Sequence, residues 1–287
     1  MDLVLRPPNR ADVSACGRVL YAAFQNIAER HNFPPDFASV EGATQVAAFL
    51  VNQRSFFGVV AELGGRIVGS NFMAERDPIY AIGPISVDPD VQERGVGRRL
   101  MLAAIERGRN AAGIRLVQDA FNMVSMSLYA SLGFEIREPL VLIGGRPRSR
   151  PAPGVTVRPL RRDDLDACAA LCRRIHGFER TNELRDAMTS FAPAVAVRDQ
   201  RIVAYATTLE VWQVAHAVAE SESDLTALIL GVAAASPRPL AFLLPTRQTT
   251  LFHWCLAERL RVVKPLTLMT MRAYREPTGS YLPSVAY

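Results

Sequence analysis

The sequence predicts an α/β protein in which one fold is written twice. Three observations carry this. A glycine-rich loop, Gln92-Glu93-Arg94-Gly95-Val96-Gly97, stands between the apolar run 82–87 and the periodic apolar segment 100–105. Residues 5–16 recur in altered form at 157–168. A stretch rich in proline and glycine, residues 144–154, separates the two copies.

The first element is a strand, followed by a turn and a helix opened near Asp12, where a carboxylate suits the helix N-terminus. The pairs Arg6/Arg158, Pro7/Pro159, Arg10/Arg162, Asp12/Asp164, Ala15/Ala167 and Cys16/Cys168 share one offset of 152 (158 − 6). Gly65-Arg66-Ile67-Val68-Gly69 and Gln200-Arg201-Ile202-Val203-Ala204 both look like hairpin turns entering a strand. A strand is expected over 82–87, a turn at Asp88-Pro89-Asp90, a helix from about 100, a strand over 114–117 and a helix over 124–132. The expected domains are 1–146 and 154–287, with 147–153 as linker, the product of duplication and divergence.

A chain of 287 residues fits about two domains of ~150 residues each, and the apolar fraction of 49% suffices for two cores. No run reaches the ~18 apolar residues of a membrane span, and the first residues lack the pattern of a signal peptide. A cytoplasmic protein without membrane contact is expected. The net charge of +5 comes from arginines dispersed among acids, with Lys264 the lone lysine, so nucleic acid is not expected as a partner. Cys168 and Cys172 are one helical turn apart. Buried thiols are expected rather than a metal pair, and the histidines His31, His176, His216 and His253 are not expected to cluster with the cysteines. Neither disulfides nor metal are expected.

Glycines let a backbone approach a ligand, and the first N–H groups of a helix have no partner inside it. The loop at 92–97 is therefore built to hold an anion, most often a phosphate. Its spacing excludes the nucleotide P-loop and the dinucleotide fingerprint. It resembles the acyl-CoA pyrophosphate loop, [QR]-x-x-G-x-[GA], of the GNAT acetyltransferase superfamily. Asn122, Ser125, Tyr129, Gly133 and Phe134 match the downstream GNAT pattern N-x-x-[AS]-x-x-x-Y-x-x-x-G-F in the right order. The second half lacks both motifs, so it resembles a GNAT domain that lost its cofactor loop, kept for structure or to shape the acceptor site.

The resemblance implies two tandem GNAT-like domains, each a mixed, mostly antiparallel sheet flanked by helices, with a V-shaped splay between two parallel strands. It implies transfer of acetyl from acetyl-CoA to a primary amine by direct attack. Main-chain groups of Ile85, Ser86 and Val87 are expected on the pantetheine side. Gln92, Glu93, Arg94, Gly95, Val96, Gly97, Arg98 and Arg99 are expected around the pyrophosphate. Pro84 agrees with a bulged position in the first splayed strand. Asn122 and Ser125 are weaker cofactor candidates, Asn122 being equally a helix cap. Tyr129 is the expected proton donor to the leaving thiolate, with a buried packing tyrosine as the other reading. Glu29 and Glu75 are candidates for the general base. Phe24, Phe33, Phe37, Phe56 and Phe57 fit either an aromatic acceptor pocket or core packing. The C-terminal tail, 279–287, fits either a docked strand or a terminal carboxylate near the reaction. The acceptor, a small molecule or a peptide amine, stays open, as does monomer against homodimer. The competing reading is an acyl-CoA sensor or partner-binding module without turnover.

Overall fold

The computed structural model describes residues 3–92, 94–151 and 153–285. These form two compact units. The first takes in the described residues up to Leu116 together with Phe121–Glu135, and the second takes in Val117–Ala120 and the described residues from Ile136 onward.

The first unit opens with β1 (Leu3–Arg6), followed by α1 (Val13–Arg30) and α2 (Val40–Asn52). The antiparallel strands β2 (Phe56–Leu63), β3 (Arg66–Ala74) and β4 (Ile79–Val87) come next. Helix α3 (Val96–Arg107), the part of β5 (Gly113–Asp119) up to Leu116, and α4 (Met123–Ser131) complete it. The strand order is β1-β2-β3-β4-β5, antiparallel except for the parallel pair β4 and β5. Helix α3 lies on β3 because residue 69 is glycine. A Cβ there would stand 2.9 Å from Leu100 and 3.0 Å from the Ser86 carbonyl. Val59, Ala61, Val68, Val91, Val96 and Leu100 form the apolar core under it.

The second unit repeats the order. After β6 (Glu135–Gly145) come β7 (Thr156–Pro159), α5 (Leu165–His176), α6 (Thr181–Ser190), β8 (Ala194–Arg198) and β9 (Arg201–Ala206). Then follow β10 (Ala217–Ala219), α7 (Glu222–Ala235), β11 (Leu240–Pro245), α8 (Thr249–Ala257) and β12 (Arg261–Arg272). A last strand, β13 (Ser280–Leu282), pairs antiparallel with β10. One sheet of this unit runs β13-β10-β9-β8-β7, and β12, β6 and β11 lie side by side. Tail residues 280–282 are thus a docked strand, while the C-terminal carboxylate falls on Tyr287, outside the described residues.

The contact division differs from the sequence division at β6. This strand pairs with β11 from Leu140↔Pro245 to Gly145↔Leu240 and so belongs to the second unit. Nothing local in its sequence reveals that. The boundaries at 146 and 154 stand as a proposal about the duplication, distinct from the compact units.

The duplicated residues have a physical cause. Arg6 donates to both carboxylate oxygens of Asp12 at 2.7 and 2.9 Å, and Arg158 to those of Asp164 at 2.7 and 2.8 Å. Each aspartate also accepts a main-chain N–H, from Asn9 at 2.8 Å and from Arg161 at 2.7 Å. The pair thereby fastens a strand end to the 3-10 turn that starts the next helix. The matched cysteines, Cys16 and Cys168, are fully buried behind it. Burial pushes the thiols of Cys16 and Cys172 up to about 11 and those of Cys168 and Cys255 to about 12, so they are protonated at neutral pH.

Candidate functional site

The site starts at a defect in β4. Asn71 stands opposite Ile85, but Met73 stands opposite Ile82, so β4 carries one extra residue at Gly83-Pro84. Gly83 has φ 142, a conformation suited to glycine. The bulge expected at Pro84 is present.

Beyond the bulge, the two edges of β4 differ. The Asp88 N–H donates to the Val68 carbonyl at 2.9 Å, and Ser86 stands opposite Ser70. Hydrogen bonding to one neighbour alternates along a strand. The main-chain groups of Ile85 and Val87 therefore face the other edge. On that edge β4 pairs with β5 only over Ile79↔Gly113, Tyr80↔Ile114 and Ala81↔Arg115, although β4 continues to Val87. The parallel pair has opened by the time it reaches Ile85. The Ser86 side chain takes no part, being 2% exposed and 3.0 Å from Ser70 Oγ.

The loop follows directly. Asp88 caps a 3-10 turn, Pro89–Val91, by accepting from the Asp90 N–H. Gln92 is exposed and folds back, its Nε2 3.4 Å from the Val87 carbonyl. Glu93 lies outside the described residues. Gly95 is the N-cap of α3 with φ 76, and a Cβ there would point into open space. The first ladder bond of the helix runs from the Arg99 N–H to the Gly95 carbonyl at 3.1 Å. The N–H groups of Val96, Gly97 and Arg98 therefore precede the ladder and point out of the helix start, with the positive end of its dipole. Arg94, Arg98 and Arg99 surround them as exposed side chains, and Arg98 also reaches Ser131 Oγ at 3.1 Å. Amides, dipole and arginines together suit an anion.

Helix α4 is brought to this loop. A Cβ on Gly97 would stand 3.5 Å from Leu128 and 3.7 Å from Val87, so the start of α3, the end of β4 and α4 converge there. Asn122 is the N-cap of α4, accepting from the Ser125 N–H at 3.1 Å. The other end of α4 explains the tyrosine–glycine–phenylalanine spacing. Gly133 has φ 96 and donates to the Ala130 carbonyl at 3.0 Å, while the Phe134 N–H donates to the Tyr129 carbonyl at 3.1 Å. This is a Schellman cap, whose hydrophobic contact is the edge-to-face pair Tyr129–Phe134 at 6.4 Å. Tyr129 is 5% exposed. The packing reading of Tyr129 and the capping reading of Asn122 are thus structural facts, and both leave a chemical role open.

The base candidates fare differently. Glu75 accepts two bonds from Arg107 at 2.7 and 2.8 Å. Arg107 ends α3, about 16 Å along the helix from Val96 at ~1.5 Å per residue. Glu75 therefore fastens the far end of α3. Glu29 is exposed at the end of α1 and accepts from Gln25 at 2.6 Å. The aromatic residues form pairs: Phe24 with Phe37 at 5.5 Å and Phe33 stacked on Phe121 at 4.2 Å, with His31 5.3 Å from Phe121. Phe121 immediately precedes Asn122, so the end of α1 meets the start of α4 through aromatic rings. Phe56 contacts Phe49, and Arg76 and Arg107 lie over Phe56 and Phe57. Sequence reasoning missed Phe121, which carries no motif.

One sequence reading is corrected. Cysteines and histidines that the sequence reading did not group do meet in space: donor atoms of Cys172, His176 and His216 lie within 4.8 Å of one another, all three residues buried. His176 and His216 are forty residues apart and meet where α5 packs against β9 and β10.

Residues 21–134 match the acetyltransferase (GNAT) family. This segment, less than half of the chain, is similar to that family. The whole chain also superposes on solved GNAT structures. A Pyrococcus horikoshii protein assigned to the acetyltransferases matches with TM-score 0.73 at 18% identity, covering 94% of this chain and 89% of that one. A tandem GNAT protein from the clavulanic acid biosynthesis pathway matches with TM-score 0.58 at 13% identity, covering 96% of this chain and all of that one. At these identities the likeness establishes the fold, a tandem GNAT fold. Among curated relatives, the mycothiol acetyltransferase of Thermobifida fusca (strain YX) is 33% identical over 106 residues, 33% of each chain. That of Thermomonospora curvata is 36% identical over 78 residues, 26% of each chain. The chain thus matches about a third or less of the length of these relatives.

Proposed function

We propose that the protein is an acetyl-CoA-dependent N-acetyltransferase acting on a primary amine of a small molecule or peptide. One observation carries the proposal: the anion-seeking start of α3 lies directly beside the β4 edge where Ile85 and Val87 have lost their sheet partner. A diphosphate at one end and a hydrogen-bonding amide-containing arm along the other fit that arrangement. The open space at Gly95 gives the fit its room.

Acetyl-CoA, when bound, supplies the acyl group as a thioester. In this reading the amides of Val96, Gly97 and Arg98 and the nearby arginines hold the diphosphate, and Gln92 and Arg94 shape the loop. The main chain of Ile85 and Val87 orients the pantetheine arm, which turns an encounter between molecules into a positioned one. The main-chain N–H of Ile85, on the open edge, stabilises charge on the thioester oxygen. Tyr129 donates a proton to the leaving sulfur. Asn122 and Ser125 act by fixing the start of α4. Phe33 and Phe121 give the acceptor side an apolar wall. The printed name of the Thermobifida relative makes an amine-bearing thiol one acceptor class to include among those tried.

A second reading, an acyl-CoA sensor, draws on the ion pair that removes Glu75 from the set of bases. Calorimetry with acetyl-CoA, followed by assay of free thiol across a panel of amines, separates the two. Heat of binding together with amine-dependent thiol release supports the enzyme; binding without release across the panel supports the sensor. Absence of binding removes both.

A further inference from the structure

We propose that the second unit carries a transition-metal site of the zinc type, made by Cys172, His176 and His216. Cys172 and His176 are spaced i, i+4 on α5, so their side chains leave one face of the helix a turn apart. His216 reaches them from the segment entering β10. Its backbone is held on both sides by Thr207, whose N–H donates to the His216 carbonyl at 2.9 Å and whose Oγ1 accepts from the His216 N–H at 2.9 Å.

The spacing of the two imidazole nitrogens fits a metal. The two Nε2 atoms are 3.3 Å apart. Two nitrogens bound at ~2.0–2.1 Å in a tetrahedral zinc site stand ~3.3–3.4 Å apart. Thiolate and imidazole donors suit zinc-like ions and disfavour magnesium and calcium, which take oxygen ligands. The surroundings also fit. Glu183 Oε2 is 3.8 Å from His216 Nδ1, on the side of the ring away from His176, where an outer carboxylate orients a ligating imidazole. Arg180 balances that carboxylate at 2.7 Å. Tyr281 and Phe178 pack on His176 at 5.2 and 5.7 Å and form an apolar shell.

Binding has a simple balance. The Cys172 thiol loses its proton to solvent and a metal–sulfur bond forms. Both imidazoles stay neutral, carry their proton on Nδ1 and give the Nε2 lone pair to the ion. All three residues are fully buried, so the ion enters as the unit folds and then ties α5 to the start of β10. It is a structural tie, separate from acyl transfer.

The test uses the full chain, unfolded in denaturant and refolded with cobalt(II) or zinc(II). The expected result is one metal ion per chain, a thiolate-to-cobalt charge-transfer band with tetrahedral d–d bands, and a higher melting temperature with zinc. Cys172→Ser should abolish the charge-transfer band. Cys168→Ser, one turn earlier and equally buried, should retain it. His216→Gln should weaken cobalt binding by more than the ~10–100-fold that loss of an outer partner costs. Wild-type protein that refolds without stoichiometric metal, or that binds cobalt with no thiolate band, overturns the proposal. The two rings then share only an imidazole–imidazole hydrogen bond. A band that survives in Cys172→Ser also overturns it, and the wild-type and Cys168→Ser readings decide the matter should Cys172→Ser fail to fold.

Discussion

Two glycines two residues apart illustrate how differently one residue type acts in the loop. Gly95 needs its missing Cβ for conformation: its φ is 76, and the space around it is open. Gly97 sits within the first helical turn, where a methyl would only touch Leu128 and Val87 at ordinary distances. Gly95→Ala should therefore cost about 1–2 kcal/mol through left-handed backbone strain. Gly97→Ala should cost nothing and gain up to ~1 kcal/mol of helix propensity. Denaturant midpoints of the two variants check this, and equal losses would refute the assignment. Tyr129 invites a cleaner separation still. Its ring is the hydrophobic half of a helix cap and its hydroxyl is the proposed acid. Tyr129→Phe keeps the ring against Phe134, so stability and acetyl-CoA affinity should hold while turnover falls ~10²–10⁴-fold. Undiminished turnover on an accepted amine would leave Tyr129 with packing alone.

Helix α4 is nine residues long, too short to persist by propensity, and it is held by what closes its ends. Asn122→Ala should cost about 0.5–2 kcal/mol, and Asn122→Ser, which restores a capping oxygen, should recover most of it. Were the serine variant stable yet still deficient in acetyl-CoA binding by calorimetry, Asn122 would be a ligand as well as a cap. The same helix shows why so much was legible in the sequence. Capping residues act on neighbours a few positions away, so Asn122, Gly133 and Phe134 left a pattern that marks both ends of the helix. The bulge at Pro84 was readable for the same reason, since a missing N–H is a local fact. What escaped depends on distant partners. Strand β6 looks like the last strand of the first copy but pairs with β11, a hundred residues on. The ion pair that ties Glu75 to Arg107, and the meeting of Cys172 with His216, leave no local trace.

At the scale of the molecule, the two halves share a framework and differ in chemistry. The framework is the twin pair Arg6–Asp12 and Arg158–Asp164. The guanidinium of Arg6 holds the Asp12 carboxyl below the usual aspartate range, against the opposing effect of burial, and Arg158 does the same for Asp164. A carboxyl whose folded value is depressed contributes stability above its unfolded value, ~3.9, and loses it as pH falls through the folded value. Stability should thus drop below about pH 4. Asp12→Asn or Asp164→Asn should cost about 1–3 kcal/mol at pH 7 and flatten that acid dependence, as read from urea midpoints at pH 7 and pH 3.

The changed chemistry is visible where the two copies align at an offset of 126 (221 − 95), which puts Ser221, the N-cap of α7, in the place of Gly95. There the Ser221 hydroxyl accepts from the Asp224 N–H at 3.2 Å, and Glu222 and Asp224 occupy the first turn. One of the amides that would receive an anion is served by a side chain, and two carboxylates add like charge where a diphosphate would sit. At the same offset Cys255 replaces Tyr129 and Arg259, with φ 67, replaces Gly133. The second helix cap survives, the Leu260 N–H donating to the Cys255 carbonyl at 3.0 Å, but the hydroxyl is gone. One chain should therefore bind one acetyl-CoA. Calorimetric titration should give a stoichiometry of one, abolished when Gly95 is replaced by a β-branched residue and unmoved by Ser221→Gly. A stoichiometry of two, or a single site that survives Gly95→Val and responds to Ser221→Gly, would place the cofactor in the second copy and reverse the division of labour between the halves.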